Sequence, residues 1–297
     1  MEKVLVICGP TAVGKSELAI YLAKKYNGEI INGDSMQVYR EMNIGTAKVS
    51  EQERKEVPHH LFDIKTIKEH FSVAEFQGLV RAKISEITSR GNLPIIVGGT
   101  GLYLKASLYD YDFQEKEKRD YGLTKKTTEE LYDILIELDE ETAKTIHMNN
   151  RRRIIRAIEI FYETGVGKVK HNQKQKQKPI YDVFFLGLSR PRDQLYQMIN
   201  QRVDLMFEKG LEKEARYVLE NADPKSTALQ AIGYKEFLSC QDSELCKETI
   251  KLNSRHLAKR QQTWFNNQFS TQWIDVQDKS LEELFQEVNI LLKEWLK

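Results

Sequence analysis

An α/β fold, a P-loop NTPase-like parallel sheet flanked by helices with an all-helical subdomain inserted into it, is the class this sequence predicts. Short apolar runs alternate with helical patterns through the first third of the chain. The first run ends in the glycine-rich turn GPTAVGKS, and a charged stretch without convincing strands later interrupts the alternation. Alternating strands and helices close into a parallel sheet with helices on both faces.

The elements follow in order. KVLVIC (Lys3 to Cys8) is a buried strand stopped by Gly9-Pro10. Leu18, Ala19, Leu22, Ala23 and Tyr26 have helical spacing and end at Asn27-Gly28. EIIN (Glu29 to Asn32) is a second strand running into Gly33-Asp34-Ser35. Val73, Phe76, Val80, Ile84 and Ile87 mark one face of a helix over Ser72 to Ser89, stopped by Gly91. LPIIVGGTG (Leu93 to Gly101) reads as a third buried strand. The region 113–178 is charged and helix-rich, and KHNQKQKQKP (Lys170 to Pro179) within it is a low-complexity connector. YDVFFLGL (Tyr181 to Leu188) returns to strand character and rejoins the sheet. Helices are expected from there to the end, the last an amphipathic series from Leu281 to Trp295. The domains are accordingly drawn as a core of residues 1–112 and 179–297 and an insert of 113–178. No internal repeat is present.

A chain of 297 residues with 40% hydrophobic content buries a core without staples. Cys8, Cys240 and Cys246 are odd in number and lack CxxC spacing, which reads as buried or idle thiols in a reducing cytoplasm. No uninterrupted apolar run approaches the roughly 18 residues of a membrane span, and no secretory leader is apparent. The net charge is only +1, but it is segregated. Between Arg151 and Lys178 nine basic residues face two acids, and Lys251 to Trp273 holds four basic residues and no acid. Such segregation presents positive surface to a polyanion.

Gly9-x-x-x-x-Gly14-Lys15-Ser16 completes the P-loop pattern between a strand and a helix. Across Gly9, Pro10, Thr11, Ala12, Val13, Gly14, Lys15 and Ser16, backbone N–H groups and a helix N-terminus cradle phosphate. Lys15 adds a full charge and Ser16 can ligate Mg²⁺. Most such proteins hold the metal with a second acid ending a buried strand, yet LPIIV runs into Gly98-Gly99-Thr100. The acid that follows a strand is Asp34, where open sheets place their ligands. It reads either as a site carboxylate or as a turn residue of NGDS. Thr100 is likewise open between a turn role and close approach to a substrate. Two functions compete: phosphoryl transfer by an ATP-binding small-molecule or nucleotide kinase, and an enzyme that grips a phosphorylated leaving group while acting on nucleic acid. The missing acid and the basic insert favour the second.

Seven blocks, GPTAVGKS, DSMQVYREMNIGTAK, VPHHLFDI, VGGTGLY, RRIIRAIEI, AIGYKE and LAKRQQTWF, resemble in order and spacing the tRNA dimethylallyltransferases of bacterial type. The resemblance covers most of the chain. It implies transfer of a dimethylallyl group from dimethylallyl diphosphate to N6 of adenosine 37 in the anticodon stem-loop of tRNAs reading codons that begin with U. It also implies an Mg²⁺ cofactor, a monomer and a cytoplasmic location. By the same resemblance Asp34 is the general base, Thr100 bonds near the reacting groups, and Lys15 and Arg202 hold the diphosphate. Contacts to tRNA are implied for Asp34, Ser35, Met36, Gln37, Thr100, Arg119, Arg152, Arg153, Ile154, Ile155 and Arg156, and for Lys259, Arg260 and Gln261. From local sequence Arg202 reads as a residue of a solvated helix face. His59 and His60 are expected to be structural, since two adjacent histidines make no metal site. The chain departs from the family pattern at Asn149-Asn150, at Asn266 and in a shortened segment after Tyr109.

Overall fold

The computed structural model describes residues 1–111, 120–170 and 178–297. Their backbone contacts divide the chain into two units, Met1–Tyr109 with Pro179–Lys297, and Asp110–Lys178.

The first unit is a six-stranded, all-parallel sheet of order β3-β2-β4-β1-β5-β6. Its strands are β1 (Lys3–Cys8), β2 (Gly28–Asn32), β3 (His59–His60), β4 (Leu93–Val97), β5 (Asp182–Ser189) and β6 (Gln272–Asp275). Val4 through Cys8 are fully buried, as a central parallel strand covered on both faces requires. Helix α1 (Lys15–Lys25) presses Leu18, Ala19 and Leu22 onto β1 and β4. α2 (Glu51–Glu56) carries a Ser50–Glu53 capping box, and α3 (Val73–Ser89) buries Phe76, Val80, Ile84 and Ile87 behind a Ser72 cap. Each such cap contributes about 1 kcal/mol.

Three elements differ from the sequence expectation. The strand at Leu93 stops at Val97, and Gly101 already opens helix α4 (Gly101–Leu108). β6 interrupts the helices expected after β5, pairing Leu186 to Ser189 with Gln272 to Asp275 at the sheet edge. β3 adds a two-residue strand at the opposite edge.

The second unit is helical among its described residues. It contains α5 (Thr128–Leu138), α6 (Glu140–Ala143) and α7 (Arg151–Thr164). Leu131, Leu135, Ile154, Ala157 and Ile158 form its own core. Full burial of Ile154 contributes about 1.5–3 kcal/mol. Most of the connector at Lys170 to Pro179 lies outside the described residues. The first unit is completed by α8 (Arg192–Glu208), α9 (Leu211–Asn221), α10 (Ser243–Gln268) and α11 (Leu281–Leu296). No helix of the described residues is long and apolar enough to cross a membrane. Cys8, Cys240 and Cys246 are buried free thiols.

Candidate active site

The C-terminal ends of β1, β2 and β4 deliver three loops to one cavity of about 710 Å³ in the first unit, and α8 and α10 supply further walls. Open α/β sheets place their ligands at such strand ends.

The loop after β1 has the geometry of a phosphate cradle. Gly9 takes φ +136° and Gly14 φ +99°, conformations that side chains rarely adopt, and a Cβ on Gly9 would lie 2.6 Å from the Leu188 carbonyl oxygen. Thr11 to Ser16 line the cavity. Gly9 and Pro10 are buried, and their carbonyls accept hydrogen bonds from Lys15 Nζ at 3.1 and 2.7 Å. Burial, reinforced by the charge of Arg202 and opposed by Asp34, pulls the Lys15 ammonium down to about 8. Arg202 lines the cavity from α8, and burial lowers its pKa against the pull of Asp34. Four cations, Lys15, Arg202, Lys235 and Arg260, and three carboxylates, Glu17, Asp34 and Glu53, line the cavity; Lys15 and Arg202 are the two that burial desolvates, and their paired charge favours an anionic ligand beside the loop.

Asp34 is half-buried on the cavity wall, and its Oδ1 accepts the Met36 N–H at 2.8 Å. It is thus a turn residue and a cavity carboxylate together. Asn32, fully buried at the end of β2, fixes it: Asn32 Oδ1 accepts the Asp34 N–H, while Nδ2 donates to the carbonyls of Asp34 and Leu61. Thr100 is the N-cap residue preceding α4, and its Oγ1 accepts the Ser35 N–H at 3.2 Å and lies 3.4 Å from Ser35 Oγ. Met36 and Gln37 line the same cavity, with Gln37 Nε2 tied to the Thr46 carbonyl. His59 also lines it, its Nδ1 bonded to the Val57 carbonyl and its pKa lowered by burial, whereas His60 bonds Glu29. The described residues hold no group of three or more His, Cys, Asp or Glu suited to a metal.

The sequence-derived RNA contacts divide by exposure. Arg152, Arg153 and Arg156 project from α7 of the second unit, with Arg156 engaged by Glu159 at 3.0 Å and Glu163 at 3.8 Å. Ile154 is instead fully buried in that unit's core and Ile155 packs against it, because helical spacing turns them opposite the arginines. Lys259 and Arg260 are exposed on α10, and Arg260 lines the cavity. Gln261 is placed differently from its neighbours: it is buried, with Oε1 accepting the Thr11 N–H at 3.0 Å and Nε2 donating to the Gly99 carbonyl at 3.1 Å. Arg119 lies outside the described residues.

Asn32 and Trp264 escape a reading of the sequence. Trp264 lines the cavity and packs so closely on Gly101 that a Cβ there would overlap its indole. For Asn32 the available signal is an amide ending an apolar strand just before an acid.

The family model described as IPP transferase matches residues 37–268. A tRNA dimethylallyltransferase of Anoxybacillus flavithermus is 49% identical over 289 residues, covering 95% of this chain and 93% of that protein. One from Enterococcus faecalis is 47% identical, covering 100% and 98%. Among solved structures, the full-length tRNA isopentenylpyrophosphate transferase of Bacillus halodurans superposes with a TM-score of 0.77 at 42% identity, covering 100% of this chain and 97% of that one. A eukaryotic dimethylallyltransferase acting on tRNA superposes with a TM-score of 0.85 at 32% identity, covering 99% and 80%.

Proposed function

This chain belongs to the IPP transferase family, and on that premise we propose that its cavity moves a dimethylallyl group from dimethylallyl diphosphate to N6 of adenosine 37 in tRNAs reading codons that begin with U. The observation that carries the reading is the opening of a phosphate cradle and the Asp34 carboxylate into one cavity. Its remaining walls include the apolar Ile199, Val203, Met206 and Leu257, suited to a short hydrocarbon. A kinase finds less support, since Gly98 and Gly99 follow β4 where a second metal-holding acid would stand.

In the reaction the allylic C1–O bond breaks, a C1–N6 bond forms, and N6 gives up a proton. Negative charge grows on the departing diphosphate, and Lys15, Arg202 and the amides of Ala12 to Ser16 stabilise it, the Thr11 amide being engaged by Gln261. Asp34, held by Asn32, accepts the proton from N6. The adenosine leaves its stack to enter the cavity, at a cost of a few kcal/mol that contacts from Ser35, Met36, Gln37 and Thr100 offset. A magnesium ion fits the oxygen donors here: the exposed Ser16 hydroxyl would hold it together with phosphate oxygens and water. When bound, it would neutralise part of the diphosphate charge.

Incubation with labelled dimethylallyl diphosphate, Mg²⁺ and an unmodified tRNA transcript tests the reading. Label is expected in the RNA; a donor left intact, or ATP consumed without RNA, would refute it. The exposed arginines of α7 serve RNA binding in this account. Converting Arg152, Arg153 and Arg156 to glutamine is expected to flatten the slope of log K against log salt by roughly 2, at about 0.7–0.9 for each phosphate no longer neutralised, with Arg156 contributing least. An unchanged slope would move the RNA surface elsewhere.

A further inference from the structure

Gln261 is where the phosphate loop and the Thr100 turn meet. Only 8% exposed, it shares a face of α10 with the buried Ala258 and Phe265, three residues before it and four after, so the core fixes its position. Its amide accepts from Thr11 at one end and donates to Gly99 at the other. Gly99 leaves the room this needs, since a Cβ there would lie 2.1 Å from the Gln261 amide nitrogen. Three residues on, Trp264 occupies the space over Gly101 in the same way. Thr100 is therefore held on both sides by one helix face, and its hydroxyl accepts the N–H of Ser35, next to Asp34.

We propose that Gln261 is a positioning residue that couples occupancy of the phosphate loop to the placement of the Thr100 turn against the acceptor base. The inference rests on the prenyl-transfer reading for the identity of the two ligands. A primary amide suits the task because it meets an N–H with its oxygen and a carbonyl with its nitrogen. A glutamate would keep the Thr11 bond and set an oxygen against the Gly99 carbonyl. A methionine would fill the space and make neither bond.

The test measures anticodon stem-loop affinity with and without saturating pyrophosphate, together with pyrophosphate affinity alone. Wild type is expected to bind the RNA at least ~5-fold more tightly with pyrophosphate present, and Gln261→Met to bring that ratio within ~2-fold of unity while each separate affinity moves less than ~3-fold. Its kcat should fall more than either KM rises. Absence of coupling in wild type, or wild-type coupling in Gln261→Met, would overturn the proposal. So would an equal loss of RNA affinity with and without pyrophosphate, which would make Gln261 an RNA contact. Should the methionine variant fail to fold, Gln261→Glu is read by the same criteria. These binding measurements need no prenyl transfer. A wild type that binds both ligands but transfers nothing would refute the function and leave the coupling to be judged on its own ratio.

Discussion

Replacing Asp34 with asparagine is expected to cut turnover by about 10²–10⁴-fold while RNA affinity stays within about twofold of wild type. The asparagine is chosen because Asp34 has two roles in the structure. Its Oδ1 accepts the Met36 N–H and shapes the turn that carries Ser35, Met36 and Gln37. An asparagine oxygen makes the same bond, and the Asn32 bond to the Asp34 backbone is untouched. What it cannot do is take a proton from N6. Asp34→Ala removes both roles and should add a loss of RNA affinity that the asparagine variant lacks. Wild-type turnover in Asp34→Asn, measured at matched Mg²⁺, would reduce Asp34 to a turn residue and send the search for the base elsewhere.

Lys15→Ala is expected to lower kcat by about 10²–10³-fold, since the lost charge faces the group on which negative charge develops, and to weaken pyrophosphate binding as well. The same residue predicts a pH dependence. Burial and the neighbouring Arg202 charge hold Lys15 near 8, so the free enzyme carries the ammonium below that pH and loses it above. A bound diphosphate favours the charged form, so affinity is full below about pH 8 and should fall as pH rises beyond it, by at most about tenfold per pH unit. Lys15→Arg keeps its charge through this range and serves as the reference that removes the ligand's own titration. Calorimetric titration with pyrophosphate between pH 7 and 9 reads the difference. Parallel curves for wild type and Lys15→Arg would mean that Lys15 does not set the charge of the cradle.

Much of the site is legible in the sequence because it stands on strong local signals. The P-loop spacing places Lys15 and Ser16 after β1, and an acid after an apolar strand places Asp34 at the sheet's C-terminal edge. Other features have no such signal. β6 is an edge strand of four residues with only Ile274 buried, so neither length nor alternation marks it. The two histidines of β3 carry no strand pattern at all. Arg202 sits among polar residues of α8 and cannot be told from a solvated arginine until the helix is placed against the cavity. Gln261 follows Lys259 and Arg260 in sequence, yet one further step around α10 turns it from the exposed face into the core. Ile154 and Ile155 are separated from the neighbouring arginines by the same helical rotation.

The reaction of the RNA with labelled donor, read on phosphorus, addresses the claim that this loop grips a leaving group and hands no phosphate on. One intact diphosphate should appear for each prenyl group found in RNA, with added ATP unchanged. Orthophosphate released from ATP, beside unreacted prenyl donor and unmodified RNA, would contradict it.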